Sequence, residues 1–144
     1  LNDSDRELDE MTAWVVEHLG PDVPMHFTAF HPDYRMLDTP ATPPETLTRA
    51  RRIALANGVH HAYTGNVHDR TGQSTSCTGC GAVVIERDWY HLGAYRLDES
   101  GHCTACGTAL AGVFDGPVGG WGPRRRPVTI DRRPQTDEPG PDRP

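Results

Sequence analysis

Four thiols are the first chemistry the sequence offers. Cys77 and Cys80 lie in the stretch CTGCG, Cys103 and Cys106 in CTACG, and no other cysteine occurs among the 144 residues. Two C-x2-C pairs with 22 residues between them can set four thiolates at the corners of a tetrahedron, each pair on its own turn. This is the layout of a structural zinc ribbon, and iron in a rubredoxin-like site would use the same sulfurs. Gly81 and Gly107 follow the pairs and permit the tight turn that aims backbone N–H groups at sulfur. A thioredoxin-like dithiol opens a helix after a strand, which neither pair does. Four ligands also complete the coordination shell and leave no position for a catalytic water, so the expected role is a fastening. His91 and His102 lie nearby and are expected as exposed loop residues rather than ligands.

Ligand chemistry of another kind is expected at strand ends, because parallel α/β folds bind ligands at the carboxyl-terminal edge of their strands. His31 in AFHP and Asn66 in YTGN occupy such ends. A histidine there can donate to a polar ligand or serve as a satisfied structural residue. Asn66, Asp33 and Tyr34 are weaker candidates, since their steps are also ordinary turn chemistry. No catalytic residue is identified.

The elements that must position these groups alternate. Ser4 and Glu7 form a capping box for a helix over 4–19, with Leu8, Met11, Val15 and Leu19 on its apolar face and Gly20-Pro21 as its stop. VPMHFTAFHP reads as a short buried strand with Met25, Phe27, Ala29 and His31 on one face and His26, Thr28 and Phe30 on the other. A second helix is expected from Thr42, with Glu45 completing another capping box, Leu47, Ala50 and Ala54 facing inward and Asn57-Gly58 ending it. VHHAYTGN is a second strand, and VVIER and AYRL are the strands between the knuckles. Helix-strand-helix-strand is the order of parallel strands with crossover helices. Two strands leave such a sheet uncovered, so residues 1–68 read as the carboxyl-terminal part of a partial β/α barrel, 69–114 as the ribbon and 115–144 as a disordered tail.

Composition bears on the same division. Residues 115–144 hold seven of the thirteen prolines and no long apolar run, a composition that cannot bury a core. Its PRRRP could contact an anion or be a solvated linker. The net charge is −6, and residues 1–114 carry 15 acidic side chains against 8 arginines. That surface argues against a nucleic-acid partner. The absence of a long apolar run or a signal-peptide pattern sets the expectation of a soluble, cytoplasmic chain outside the membrane, where cysteine pairs bind metal more often than they form disulfides.

The stretches LNDSDREL, FHPDYRM, TP-x2-TL, YTGN and the two C-x2-C-G knuckles, spread over about residues 1–114, resemble the radical S-adenosylmethionine enzyme of the AmmeMemoRadiSam system, a relative of pyruvate formate-lyase activating enzymes. The resemblance implies a partial TIM-like barrel with a [4Fe–4S] cluster held by C-x3-C-x2-C, reductive cleavage of S-adenosylmethionine to a 5′-deoxyadenosyl radical, and Memo-like and AMMECR-like partner proteins. It implies a cofactor contact for His31, whose AFHP matches a PYH-like stretch in that group, and a cofactor-side position for Asn66. The chain departs from the pattern: it has no C-x3-C-x2-C and no GGE-like segment, so it reads as an inactive fragment of that enzyme. A stand-alone zinc-ribbon adaptor that binds a protein partner is the competing expectation. The substrate of the radical, a small molecule or a protein, is not implied.

Overall fold

The computed structural model describes residues 2–114 and residue 118. The disorder expected for 115–144 falls outside these residues except at Val118. The elements are α1 (Asp5–Leu19), β1 (Met25–Thr28), α2 (Pro44–Ala56), β2 (Ala62–Gly65), α3 (Arg70–Gln73), β3 (Thr75–Ser76), β4 (Val83–Asp88) and β5 (His91–Tyr95). β1 and β2 pair in parallel, with Met25 opposite Ala62 and Thr28 opposite Gly65. α2 supplies the crossover that parallel pairing requires. β3, β4 and β5 form a separate antiparallel sheet in that order. The described residues are thus a mixed α/β structure with two small open sheets, and the two parallel strands do not by themselves close a barrel.

α1 starts where its capping box requires: the Glu7 amide donates to Ser4 Oγ at 3.3 Å while Glu7 Oε2 accepts from the Ser4 amide at 3.3 Å. The hydroxyl and amide of Ser4 hold the Glu7 carboxyl below its usual range. Its buried face differs from the expected one. Leu8 and Thr12 are buried and Val16 packs on the core, whereas Met11 and Leu19 are exposed. A threonine can be buried there because its hydroxyl donates to the Leu8 carbonyl at 2.8 Å and accepts from Asn57 Nδ2 at 2.8 Å, leaving no polar atom unpaired. Asn57 also donates to Asp9 Oδ1 at 2.9 Å, so the residue that ends α2 also ties α2 to α1.

The capping box expected at Thr42 and Glu45 does not form. α2 begins at Pro44 with Pro43 as its cap and no side-chain capping bond. Thr42 is engaged elsewhere: its Oγ1 accepts from the Phe30 amide at 3.0 Å and its amide donates to the Phe30 carbonyl at 3.0 Å. This clamp to the end of β1 competes with capping, and two prolines pre-set the helical start instead. Leu47, Ala50 and Ala54 are buried as expected, and Gly58 takes the left-handed turn at φ 93°.

Met25 and Phe27 pack with Val16 around the buried cluster Ala54, Val59 and Ala62, so one face of the parallel pair is covered by helices. The other face presents His26 and Thr28 to solvent, with the His26 ring 5.0 Å from that of Tyr63. β1 ends at Thr28, and the alternation does not carry to His31, which is exposed rather than on the buried face of Phe27 and Ala29. Among the described residues no helix is long and apolar enough to cross a membrane.

Candidate metal centre

Each cysteine pair sits on the same local fold. Cys77 donates its amide to the Ala82 carbonyl at 2.8 Å and Gly81 donates to the Cys77 carbonyl at 2.9 Å; in the second copy Cys103 donates to Thr108 at 2.8 Å and Gly107 to Cys103 at 2.8 Å. Gly81 and Gly107 both have φ 75°, a conformation costly for residues with a Cβ, so the glycine after each pair closes the turn. The Gly79 amide points at Cys77 Sγ at 3.4 Å, as expected for a knuckle that stabilises thiolate. The first cysteine of each pair is buried and the second exposed.

The antiparallel sheet brings the two turns together. Cys77, Val84, Leu97, Cys103 and Leu110 form one buried cluster with Ile85, Tyr95 and Phe114 packed against it. A bridge between Leu97 and Cys103 carries the second turn beside the first. The four sulfurs all lie within 4.8 Å of one another, with Cys77 and Cys106 at 3.6 Å and Cys80 and Cys103 at 3.9 Å. Sulfurs about 2.3 Å from a central zinc stand about 3.8 Å apart along a tetrahedral edge. A disulfide would need about 2.0 Å, and all four thiols are free. The donor set therefore fits a closed tetrahedral metal site.

The sulfurs are electrostatically unequal before any ion is added. The Thr108 hydroxyl and amide draw the Cys106 thiol down to about 6. The Cys80 amide draws Cys77 down against the effect of burial. The Ala82 amide also pulls Cys80 down, but the neighbouring thiols of Cys106, Cys77 and Cys103 together with burial outweigh it and push Cys80 up to about 11. A divalent ion bound here would supply the charge that lets all four ionise together.

Neither candidate histidine joins the cluster, which among the described residues comprises the four cysteines alone. His102 is half-buried rather than exposed, bridged to Ala109, with its Nδ1 facing Asp98 Oδ1 at 3.3 Å. His91 is exposed, but it begins β5 opposite Asp88 and is not a loop residue.

His31 and Asn66 both follow the carboxyl-terminal ends of the parallel strands. Asn66 has φ 59° and its Nδ2 donates to the Ala29 carbonyl at 3.4 Å, which links the two strand ends. His31, Asp33 and Tyr34 are exposed, with Arg35 stacked over the Tyr34 ring at 5.1 Å. The sequence pattern does not single out His61, which is buried with no hydrogen-bond partner at Nε2, or the buried Gln73 and Ser74 of the connector. The VHHAY alternation could have signalled His61; the four-residue α3 has no periodicity to signal the others.

Over 110 residues the chain is 41% identical to the uncharacterized protein MJ0808 of Methanocaldococcus jannaschii, a match covering 76% of this chain and 33% of that protein. The chain spans about one third of the length of the curated relative it matches. No protein-family model matches the chain, and no solved structure does.

Proposed function

We propose that the four cysteines hold a structural zinc and that the chain is a part of a radical S-adenosylmethionine enzyme of the AmmeMemoRadiSam type, with the ribbon stapled to the end of its β/α portion. The zinc reading is carried by the near-tetrahedral set of four free thiols on two matching turns. Zinc is favoured over iron because a rubredoxin-like site calls for an aromatic core around the metal, and here only Tyr95 and Phe114 among the described aromatics pack on the cysteine cluster, while Trp89 and Tyr90 are exposed. X-ray absorption at the metal edge tests it: four sulfur neighbours at about 2.3 Å support a closed zinc site, and nitrogen or oxygen neighbours overturn it.

The enzyme reading rests on the parallel β1-α2-β2 unit with one open face, on His31 and Asn66 at its carboxyl-terminal edge, and on the motifs that resemble that family. The match to a protein about three times as long as the shared segment agrees with a portion of a larger polypeptide. In the family the cluster supplies the electron that cleaves S-adenosylmethionine. This chain has no C-x3-C-x2-C, so its own contribution would be cofactor contacts from His31 and Asn66. Sequencing the coding DNA upstream of Leu1 tests the reading. An in-frame C-x3-C-x2-C within about 200 residues, the remainder of a barrel, supports it, and its absence overturns it. In the extended protein, His31→Ala should weaken S-adenosylmethionine binding by about 1–3 kcal/mol, and equal dissociation constants remove His31 from the site.

One observation favours the adaptor reading: the hairpin tip between β4 and β5 exposes Trp89 and Tyr90, with Leu92 of β5 exposed beside them. It gains ground if the extended chain binds no S-adenosylmethionine while Tyr90→Ala abolishes capture of a partner.

A further inference from the structure

The segment joining the two sheets is short and polar, and its last three residues, Gly72, Gln73 and Ser74, are buried. Gln73 and Ser74 are 9% and 5% exposed, and buried amides and hydroxyls persist only where they are bonded. Their partners come from both sides. Gln73 Nε2 donates to the Val67 carbonyl at 2.8 Å while its Oε1 accepts from the Trp89 amide at 2.7 Å. Ser74 Oγ donates to the Arg70 carbonyl at 2.7 Å and accepts from the Arg87 amide at 3.1 Å. Asp69 ties the start of α3 to β2, accepting from the Gly72 amide and from Thr64 Oγ1, each at 2.9 Å. The Trp89 indole donates to His68 Nδ1 at 3.0 Å, and Arg70 pairs with Glu86 at 2.7 Å.

Of these, the bonds made by the Arg87 and Trp89 amides, the Trp89 indole and Glu86 need the β4–β5 hairpin in position. That hairpin is held by the cluster of Val84, Leu97 and Leu110, which closes around Cys77 and Cys103. On the other side the bonds of Gln73 to Val67 and of Asp69 to Thr64 fix the residues that follow β2, where Asn66 reaches the end of β1. We infer that metal occupancy of the four-cysteine site is coupled, through the Gln73–Ser74 latch and Trp89, to the order of the strand-end loop 66–69. Loss of the metal loosens the hairpin, leaves Gln73 Oε1 and Ser74 Oγ without their ribbon donors, and releases the loop. This coupling rests on the metal reading but not on any catalytic one.

Hydrogen exchange of the full chain, with zinc content measured in the same samples, tests it. Removing zinc with a chelator should speed exchange of the Gly72 and Gln73 amides by about tenfold or more, and that of Ala29, whose amide donates to Gly65, should follow. The Asn57 and Val59 amides at the end of α2 should not change. A chain that binds zinc but whose Gly72 amide does not respond overturns the coupling alone, whereas a chain that binds none overturns the metal reading and the coupling with it. Gln73→Leu gives a second arm: it should retain one zinc while the Gly72 amide exchanges at the chelated rate. Wild-type exchange at Gly72 in the zinc-loaded variant overturns the latch. Should that variant fail to fold, the chelation arm decides.

Discussion

The ribbon and the helix-strand half each bury a small cluster but close it by different means. In the ribbon, two of the four clustered cysteines, Cys77 and Cys103, lie inside the apolar cluster, so metal binding at this site would draw on the same residues as packing. In the other half, Ala54, Val59 and Ala62 are covered by α1 and α2 on one side of a two-stranded sheet whose other face stays open. A module of this size gathers its stability at one point when a metal is available. Without one it depends on many helix contacts of moderate worth.

Substitutions should separate the two. Cys103→Ser is expected to have the largest effect, releasing the metal and unfolding residues 75–110, because binding free energy on the order of 10 kcal/mol is folding free energy in so small a unit. Circular dichroism and zinc analysis would read it, and retention of one tightly bound zinc would count against the ligand set. Leu47→Ala should act on the other half alone. Removing this buried side chain should cost about 2–5 kcal/mol in denaturant unfolding with zinc stoichiometry unchanged. Loss of the zinc in that variant would erase the distinction between the halves.

Between them, Gly72 is the tightest point. A Cβ there would collide with the Asp69 carboxylate and the Thr64 hydroxyl, so Gly72→Ala should destabilise by about 1–3 kcal/mol, and a thermal midpoint equal to wild type would contradict the packing described.

His61 sharpens the comparison through pH. Burial holds its pKa below the ordinary histidine value, with His60 adding to the effect and Asp22 opposing it. The unfolded chain takes up the proton near pH 6.5, above the folded pKa. The stability His61 contributes is therefore full above that pH and lost as pH falls toward the folded value. His61→Phe should flatten that fall in the thermal midpoint, and parallel pH curves for the two proteins would rule the group out. The smallest effect is expected at Ser4→Ala, about 1 kcal/mol for a lost helix cap.

What the sequence made legible follows from how local the determining physics is. The α1 cap, the inner face of α2 and the VVIER strand rest on spacings within a few residues, and they appear close to where the pattern puts them, whereas of AYRL only Ala94 and Tyr95 belong to β5, which begins at His91. Thr42 misled because its hydroxyl is claimed by Phe30, twelve residues upstream, a competition that no local motif encodes. Met11 and Leu19 misled because apolar spacing does not reveal which helix face has a neighbour; Thr12 is inside because Asn57 meets it from α2. The four cysteines were legible because metal spacing is itself a local code. Gln73, Ser74 and Trp89 were not, since their meaning lies in bonds across the two sheets.

The most direct test is native mass spectrometry of the chain purified without added metal, followed by thiol alkylation under denaturing conditions. One zinc per chain with four alkylatable cysteines is the predicted result. A metal-free chain lighter by four hydrogens, with its cysteines in two disulfides, would contradict it, as would iron in place of zinc.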